Sequence, residues 1–336
     1  MGGMRQEKGL LLEAALREVP QGSIAVEYRG GVDKEVPVQP ALFRAETDGR
    51  GKLEVYSIFP GITAVFQSYL AGQVEVHHNK SPQVLEIDHC CLGRIGWNMG
   101  GDETVYLGEN DLVLHSMDCC ADSVMLFPLG CYMALAFSVD LEQLAACCPS
   151  LLREAGFAPK AMQKRFCCGH PVAMPPSLEL EGIFAPLYGL PEKLRLPYLK
   201  LKVQELLLYL SRMEASGYEL ARYVSQQTER VREIHALMTE HLDQRYTIEE
   251  LSRRYLINTS SLKEVFKAVY GLPIATYMKE FRVRRAMELL RESDASIADV
   301  AAQVGYETQG KFTKAFKDVA HQLPTAFRKQ HRPVNG

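Results

Sequence analysis

The spacing of apolar residues along this chain changes character twice. Up to about Val139 they come in short β-branched blocks, among them VEVHH, QVLEIDHCCLGRIGW, TVYLGENDLVLHS and VMLFPLGCYMALAFSVD. Gly-Gly, Gly-Glu-Asn-Asp and Pro-Leu-Gly turns break these blocks. Such runs read as short strands, and their spacing predicts a compact antiparallel barrel or sandwich. Residues 23–60, rich in Gly, Pro and β-branched residues, predict further short strands and turns. A short amphipathic helix is expected over 9–19, with Leu10, Leu11, Ala14, Ala15 and Val19 partly on one face. Residues 141–170 turn helical and polar, and 171–197 form a Pro-rich connection with a helical piece inside. Leu199, Val203, Leu206, Leu210 and Met213 then follow a 4-3-4-3 spacing. That seam either packs on the chain's own strands or pairs two chains. A helix over Thr228 to Gln244 leads into the last segment.

From Thr247 the helical period appears twice. TIEELSRRYLINTSSLKEVFKAVYG is followed, 49 positions on, by SIADVAAQVGYETQGKFTKAFKDVAH. Phe266-Lys267 and Phe316-Lys317 are 50 apart, so the second copy has one extra residue in its turn. Each copy opens on a capping-box pattern, Thr247-x-x-Glu250 and Ser296-x-x-Asp299, which marks a helix start. Ile248 with Leu251, and Ile297 with Val300, face a core. The turn of the second copy holds Gly305, suited to a left-handed conformation, whereas Leu256 stands at the matching place in the first. In the second helix of each copy Leu262, Val265, Phe266 and Val269, or Phe312, Ala315, Phe316 and Val319, repeat as i, i+3, i+4, i+7. The opposite faces are small, polar and basic, as on a helix laid in a DNA major groove. Base-edge candidates are Thr259, Ser260, Lys263 and Glu264 in the first copy, and Gln309, Gly310, Lys311 and Lys314 in the second, with Thr308 a further DNA-binding candidate. Lys267, Lys317 and Arg285 are candidates for phosphate contacts. A helix over IATYMKEFRVRRAMELLRES joins the copies and carries Arg282, Arg284 and Arg285.

Charge sharpens this picture. The net −3 of the 336-residue chain divides into +4 over residues 228–336 and −7 over 1–227. Only the C-terminal part is then suited to a polyanion. No apolar run approaches the length of a membrane span, GLLLEAAL is no convincing signal peptide, and Gln6 spoils a myristoylation pattern. The 9 cysteines all precede residue 169, eight of them as adjacent pairs, with no C-x-x-C. They read as reduced thiols, many of them small core residues, with a thiol sensor or soft-metal site as the sharper alternative. His77 and His78 are adjacent and diverge on a strand, so the histidine array of a metal-dependent barrel enzyme is missing, and neither metal nor cofactor is expected. A small barrel can still hold a ligand. His89, Trp97, Tyr106, His115, Phe127 and Tyr132 are the candidate ligand-binding residues, although aromatic residues there also build cores.

The pieces I-x-x-V-A, V-G-Y, F-x-x-x-F-K and P-x-x-F-R, the last formed by Pro324, Phe327 and Arg328, closely resemble the second half of the AraC/XylS DNA-binding domain. The resemblance covers about a hundred residues, from Thr228 to Gln330. More loosely, GRIGW, YLGENDLVLHS, FPLGCY and the KVQELLLYL helix resemble a subgroup with a barrel-like sensor domain. Three positions depart from the family pattern: Glu264 where a base-reading residue is common, Gly310 where a side chain is common, and His321 in place of Gly.

The fold class expected is a multidomain α+β chain. A cupin-like β-barrel over 1–140 is followed by a helical linker and dimerisation region over 141–227. An all-α domain over 228–333 has two helix-turn-helix units, their reading helices at 259–270 and 309–319. The resemblance implies a cytoplasmic, effector-responsive transcription regulator, an activator more often than a repressor. Its implied partners are duplex DNA, RNA polymerase, a small-molecule effector and a second copy paired through Leu199, Val203, Leu206, Leu210 and Met213. Competing readings are a constitutive regulator whose barrel only dimerises, or a metal- or thiol-dependent enzyme or repair protein.

Overall fold

A computed structural model describes residues 2–29, 44–98, 103–167, 170–213, 218–219 and 222–331. The chain divides into two compact units, Met1–Tyr223 and Val224–Gly336. Part of the predicted strand region, at 30–43, and the Gly-Gly turn at 100–101 lie outside the described residues, as does Cys168.

The first unit begins with α1 (Gly2–Leu16), then β1 (Ser23–Tyr28), β2 (Arg44–Thr47), β3 (Arg50–Phe59), β4 (Ile62–Leu70), β5 (Gln73–His77) and β6 (Val84–Gly93). It continues through β7 (Ile95–Asn98), β8 (Glu103–Leu107), β9 (Leu112–Ser116), β10 (Asp122–Leu126) and β11 (Tyr132–Asp140). Short helices α2 (Leu141–Ala146), α3 (Ser150–Glu154) and α4 (Pro159–Phe166) lead to β12 (Val172–Met174), α5 (Leu178–Phe184), α6 (Glu192–Arg212) and β13 (Tyr218–Glu219). One sheet runs β1-β3-β4-β11-β6-β9-β12-β13, and the other includes β8-β7-β10-β5-β2. These are two separate sheets, not the single closed barrel expected, because among the described residues no ladder joins the edge strands of one to those of the other.

Alternation along the central strands separates two environments. Leu85 and Ile87 of β6, Leu135, Phe137 and Val139 of β11, and Tyr56 and Ile58 of β3 join one cluster with Leu180, Ile183 and Phe184 of α5. Their neighbours Glu86, Asp88, Ala136, Ser138, Val55 and Ser57 face a cavity between the sheets. The cavity closes where Tyr69, Val74, Trp97, Val113, Phe127 and Tyr132 pack together. The first unit is thus a helical layer, a sheet, and a second sheet set across a cavity.

Three expectations change here. Helix α1 ends at Leu16 and buries Leu12 and Leu16, with Val19 buried just beyond it, while Leu10 and Leu11 are exposed. Helix α6 starts at Glu192 and carries Pro197 inside it, so the Pro-rich connection is shorter than expected. The seam residues Leu199, Val203, Leu206 and Leu210 are fully buried in the core of the first unit, and Met213 packs against it. That face is filled by the chain's own strands and helices, so it is not free to pair with a second chain.

The second unit is all-helical: α7 (Ser225–Glu240), α8 (Ile248–Arg254), α9 (Thr259–Tyr270), α10 (Ile274–Glu292), α11 (Ile297–Gln303), α12 (Gln309–Ala320) and α13 (Pro324–His331). Its second half has a compact core of Val283, Ala286 and Leu290 of α10, Val300 of α11, Phe312 and Phe316 of α12, and Phe327 of α13. In the first half, His235 of α7 stacks on Tyr270 of α9 at 4.2 Å and meets the Tyr277 hydroxyl of α10 at 2.8 Å.

Candidate nucleic-acid interface

Local chemistry builds the two helix pairs alike. Both capping boxes form: Thr247 Oγ1 accepts from the Glu250 amide at 3.2 Å, and Ser296 Oγ accepts from the Asp299 amide at 3.0 Å. Each carboxylate returns to the amide of its cap residue, at 2.7 Å for Glu250 and 3.2 Å for Asp299. Helix α9 is capped by Asn258, which accepts from Ser261 N, and α12 by Thr308, which accepts from Lys311 N. The Thr308 hydroxyl therefore serves its own helix end. The turns match too. Leu256, at φ 49°, and Gly305, at φ 79°, are both left-handed. Gly271, at φ 83°, and His321, at φ 56°, end α9 and α12 in the same conformation. The two non-glycine residues adopt a conformation that glycine enters without steric penalty.

The docking faces are those the periodicity indicates. Leu262, Val265, Phe266 and Val269 are buried in α9, and Phe312, Ala315 and Phe316 in α12, with Val319 half-buried. The opposite faces are open. Ser260, Lys263, Glu264 and Lys267 are exposed and Thr259 is half-exposed, as are Thr308, Gln309, Gly310, Lys311, Lys314 and Lys317, all exposed, on the second head. Lys311 Nζ is held by Glu307 at 2.6 Å, which pulls the Glu307 carboxyl below its ordinary range. Lys279 holds Asp318 at 2.7 Å. Among the described residues, Lys263, Glu264, Lys267, Lys314 and Lys317 form no ion pair, so Glu264 does not neutralise Lys263 or Lys267. On the bridging helix Arg284 and Arg285 are exposed, with Arg285 on Glu288 at 2.7 Å. Arg282 differs, since its Nη2 donates to the Leu242 and Gln244 carbonyls at 3.1 and 2.9 Å and ties down the segment before α8. The 19 residues of α10 span about 28 Å at 1.5 Å per residue.

The ligand candidates of the first unit part company. Trp97 and His115 line the cavity of about 750 Å³. His89 points to the opposite side of its strand. It stacks on Phe184 at 4.1 Å, its Nδ1 meets the Tyr188 hydroxyl at 3.0 Å, and burial holds its pKa down at about 3. Tyr106 lies against Gly96 and Tyr223. Phe127 is stacked between Tyr69 and Tyr132, so it and Tyr132 are core behind the cavity wall. Missing from the candidates were Glu86, Asp88, His78, Cys120 and Ser138, which also line the cavity. Glu86 and Asp88 had a signal: two carboxylates two apart in an apolar strand share one face. His115 Nε2 lies 3.1 Å from Asp88 Oδ2, and Cys120 Sγ lies 3.4 Å from His78 Nε2. Burial would raise the Cys120 thiol, yet the two imidazoles bring it below the usual thiol range. Burial would likewise lower His78, but Cys120 and the Asn79 carbonyl raise it to about 9. Cys90 and Cys91 occupy opposite faces of β6, each within a core cluster.

Comparison with known proteins places the second unit. A helix-turn-helix domain model matches residues 251–330. The HTH-type transcriptional regulator ExsA of Pseudomonas aeruginosa is 30% identical over 118 residues, 35% of this chain and 42% of that protein. The HTH-type transcriptional activator RhaR of Mannheimia succiniciproducens is 28% identical over 91 residues, 27% of this chain and 33% of that protein. The matched segment spans less than half the length of these relatives. Among solved structures, the C-terminal domain of AraT, a response regulator from Geobacillus stearothermophilus, is 25% identical with a TM-score of 0.30, covering 32% of this chain and 88% of that one. The DNA-binding domain of AdpA, in complex with a target DNA, is 25% identical with a TM-score of 0.29, covering 30% of this chain and 91% of that one. The two identically capped helix pairs, the helix that bridges them and these sequence matches identify the C-terminal unit as a helix-turn-helix domain of the AraC/XylS family.

Proposed function

We propose that this chain is a sequence-specific DNA-binding transcription regulator, acting as an activator, and that its first unit responds to a small molecule. One observation carries the reading: two helices, each docked by a buried apolar face and capped in the same way, present polar and basic faces. With α10 between them, α9 and α12 would enter successive major grooves, whose repeat is about 34 Å. Thr259, Ser260, Lys263 and Glu264 of the first head, and Gln309, Gly310, Lys311 and Lys314 of the second, are proposed to meet base edges. Thr308, the cap residue of α12, would sit at that groove entrance, while Lys267, Lys317 and Arg285 are proposed phosphate contacts. Glu264 can accept a hydrogen bond from a cytosine N4 amine but repels phosphate, which favours unequal roles for the two heads. Activation follows the relatives named as activators, such as RhaR, and would bring RNA polymerase in as a partner.

Selection of DNA from a random pool by the purified chain tests this reading. The expected product is a site with two conserved blocks about one helical turn apart. Lys314→Ala should weaken that site by about 1–3 kcal/mol and relax preference at one base pair. A uniform loss with a shallower salt slope would move Lys314 to the phosphates. Recovery of unselected DNA only would refute sequence-specific binding.

A further inference from the structure

The cavity between the sheets has a definite electrostatic character. Its described lining contains the carboxylates Glu86, Asp88 and Asp140 but no lysine or arginine. Asp140 is occupied as the cap of α2, where it accepts from the amides of Glu142 and Gln143 at 3.0 and 2.9 Å. Asp88, His115, Cys120 and His78 form a chain of acid–base pairs, Asp88 to His115 at 3.1 Å and Cys120 to His78 at 3.4 Å. Against burial, Cys120 and Asp88 hold His115 well above its ordinary range, while Cys120 is drawn down and His78 up, so as two ion pairs the chain is neutral as a whole. Glu86 is left over. It is 8% exposed and projects from β6 into the cavity beside Asp88. The hydrogen bond to it comes from the neutral Ser138 hydroxyl at 2.6 Å.

A buried carboxylate without a cation is costly, and such groups are ordinarily paired. The opposite wall is mostly apolar, formed by Val76, Trp97 and Met125 of the second sheet, with the Ser123 hydroxyl occupied by Trp97 and the Cys120 carbonyl, facing Val55 and Val65 of the first. At about 750 Å³ the space is that of a small-molecule site, and a bare ion would leave most of it unfilled. We infer that this cavity takes a small organic cation, an amine or amidinium on an aromatic or branched apolar body, with Glu86 receiving the charge. The inference rests on the reading of the first unit as effector-responsive and gives that effector a chemical class.

The groups that face Glu86 set its response to pH. Burial and the neighbouring Asp88 carboxylate raise its pKa to about 7, against the opposing influence of Ser138, His115 and His78. A cationic ligand prefers the ionised carboxylate, so its binding ejects the proton that Glu86 holds near neutrality.

The test uses the full chain and three compounds of one shape: phenethylamine, 2-phenylethanol and 3-phenylpropionate. Thermal unfolding is followed with each at about pH 6 and about pH 8, since a ligand that binds only the folded state raises the midpoint. Phenethylamine, protonated at both, should raise the midpoint, more at the higher pH, and the alcohol and the acid should not. Glu86→Gln, which keeps an acceptor for Ser138, should weaken the response about tenfold or more. Calorimetry of the unaltered chain in two buffers of different ionisation enthalpy should register proton release near neutral pH, a reading that does not depend on the variant folding. Equal shifts from the neutral alcohol, a response retained in Glu86→Gln, binding without proton release, or no shift with the amine would each overturn the inference. DNA selection by the unliganded chain reports on the regulator reading separately, so either can fail alone.

Discussion

The sharpest test of how the reading domain is built lies at Leu256. This residue holds φ 49° in the turn between α8 and α9, where the second repeat has Gly305 at φ 79°. It is 80% exposed, so its side chain contributes little packing. The left-handed conformation costs an L-residue about 1–2 kcal/mol, which Leu256→Gly would relieve. Glycine returns about 0.4–1 kcal/mol through the greater freedom of the unfolded chain. The net expectation is a gain of about 0.5–1 kcal/mol for the second unit. The carbonyl that accepts from Arg230 at 3.0 Å is backbone and survives the change. The matched substitution in the other repeat should do the reverse. A Cβ on Gly305 would lie 2.0 Å from the Leu242 carbonyl oxygen, so Gly305→Ala should cost about 3 kcal/mol or more. Urea unfolding followed by far-ultraviolet circular dichroism reads the helical unit, while Trp97, the single tryptophan, reads the first unit by fluorescence. The reasoning is refuted if Leu256→Gly lowers or leaves unchanged the helical midpoint, or if the Trp97 transition moves as far.

Three further outcomes are expected. His235 is held at about 4 by burial, below the ordinary 6.5, so the unfolded chain takes up its proton first as pH falls. Stability from His235 is therefore complete above about pH 6.5 and lost towards pH 4, on the order of 3 kcal/mol, and His235→Gln should flatten that slope in urea titrations. Glu307→Gln releases Lys311; the pair is 60% exposed on both sides, so stability should scarcely change. Its DNA affinity, read by fluorescence anisotropy at low salt, should rise, and unchanged affinity would take Lys311 out of the interface. Leu206→Ala removes a fully buried side chain from the first unit and should cost about 2–5 kcal/mol on the Trp97 transition. Sedimentation should find its association state unaltered, whereas dissociation of a dimer would restore the interchain seam.

Much of the second unit was legible because its rules are local. A capping box joins residues three apart, a docking face repeats every three or four, and a left-handed turn announces itself through glycine. Thr247, Ser296 and Gly305 could therefore be placed without knowing what surrounds them. Leu256 and His321 show the limit, since their chemistry hides a conformation that the repeat imposes. In the first unit the same kind of reading misled. The 4-3-4-3 spacing of Leu199 to Met213 describes a helix face equally well whether it meets another chain or its own core. Arg282 looked like its neighbours Arg284 and Arg285, yet the Leu242 and Gln244 carbonyls, 40 and 38 residues away, draw it inward.

By itself the sequence determined that a duplicated helix pair with a basic outer face closes the chain, and that a β-rich unit of opposite charge precedes it. Hydrogen bonds to near neighbours and helical periodicity suffice for that. Only the tertiary structure decided that the strands form two sheets with a cavity between them, and that the Leu199–Leu210 face of α6 is internal. It also brought Asp88 to His115 across 27 residues and Cys120 to His78 across 42, leaving Glu86 without an ion pair among the described residues. Such meetings depend on strand order and on which face each strand turns inward. A shift of one residue in register exchanges those faces, so no local pattern specifies them.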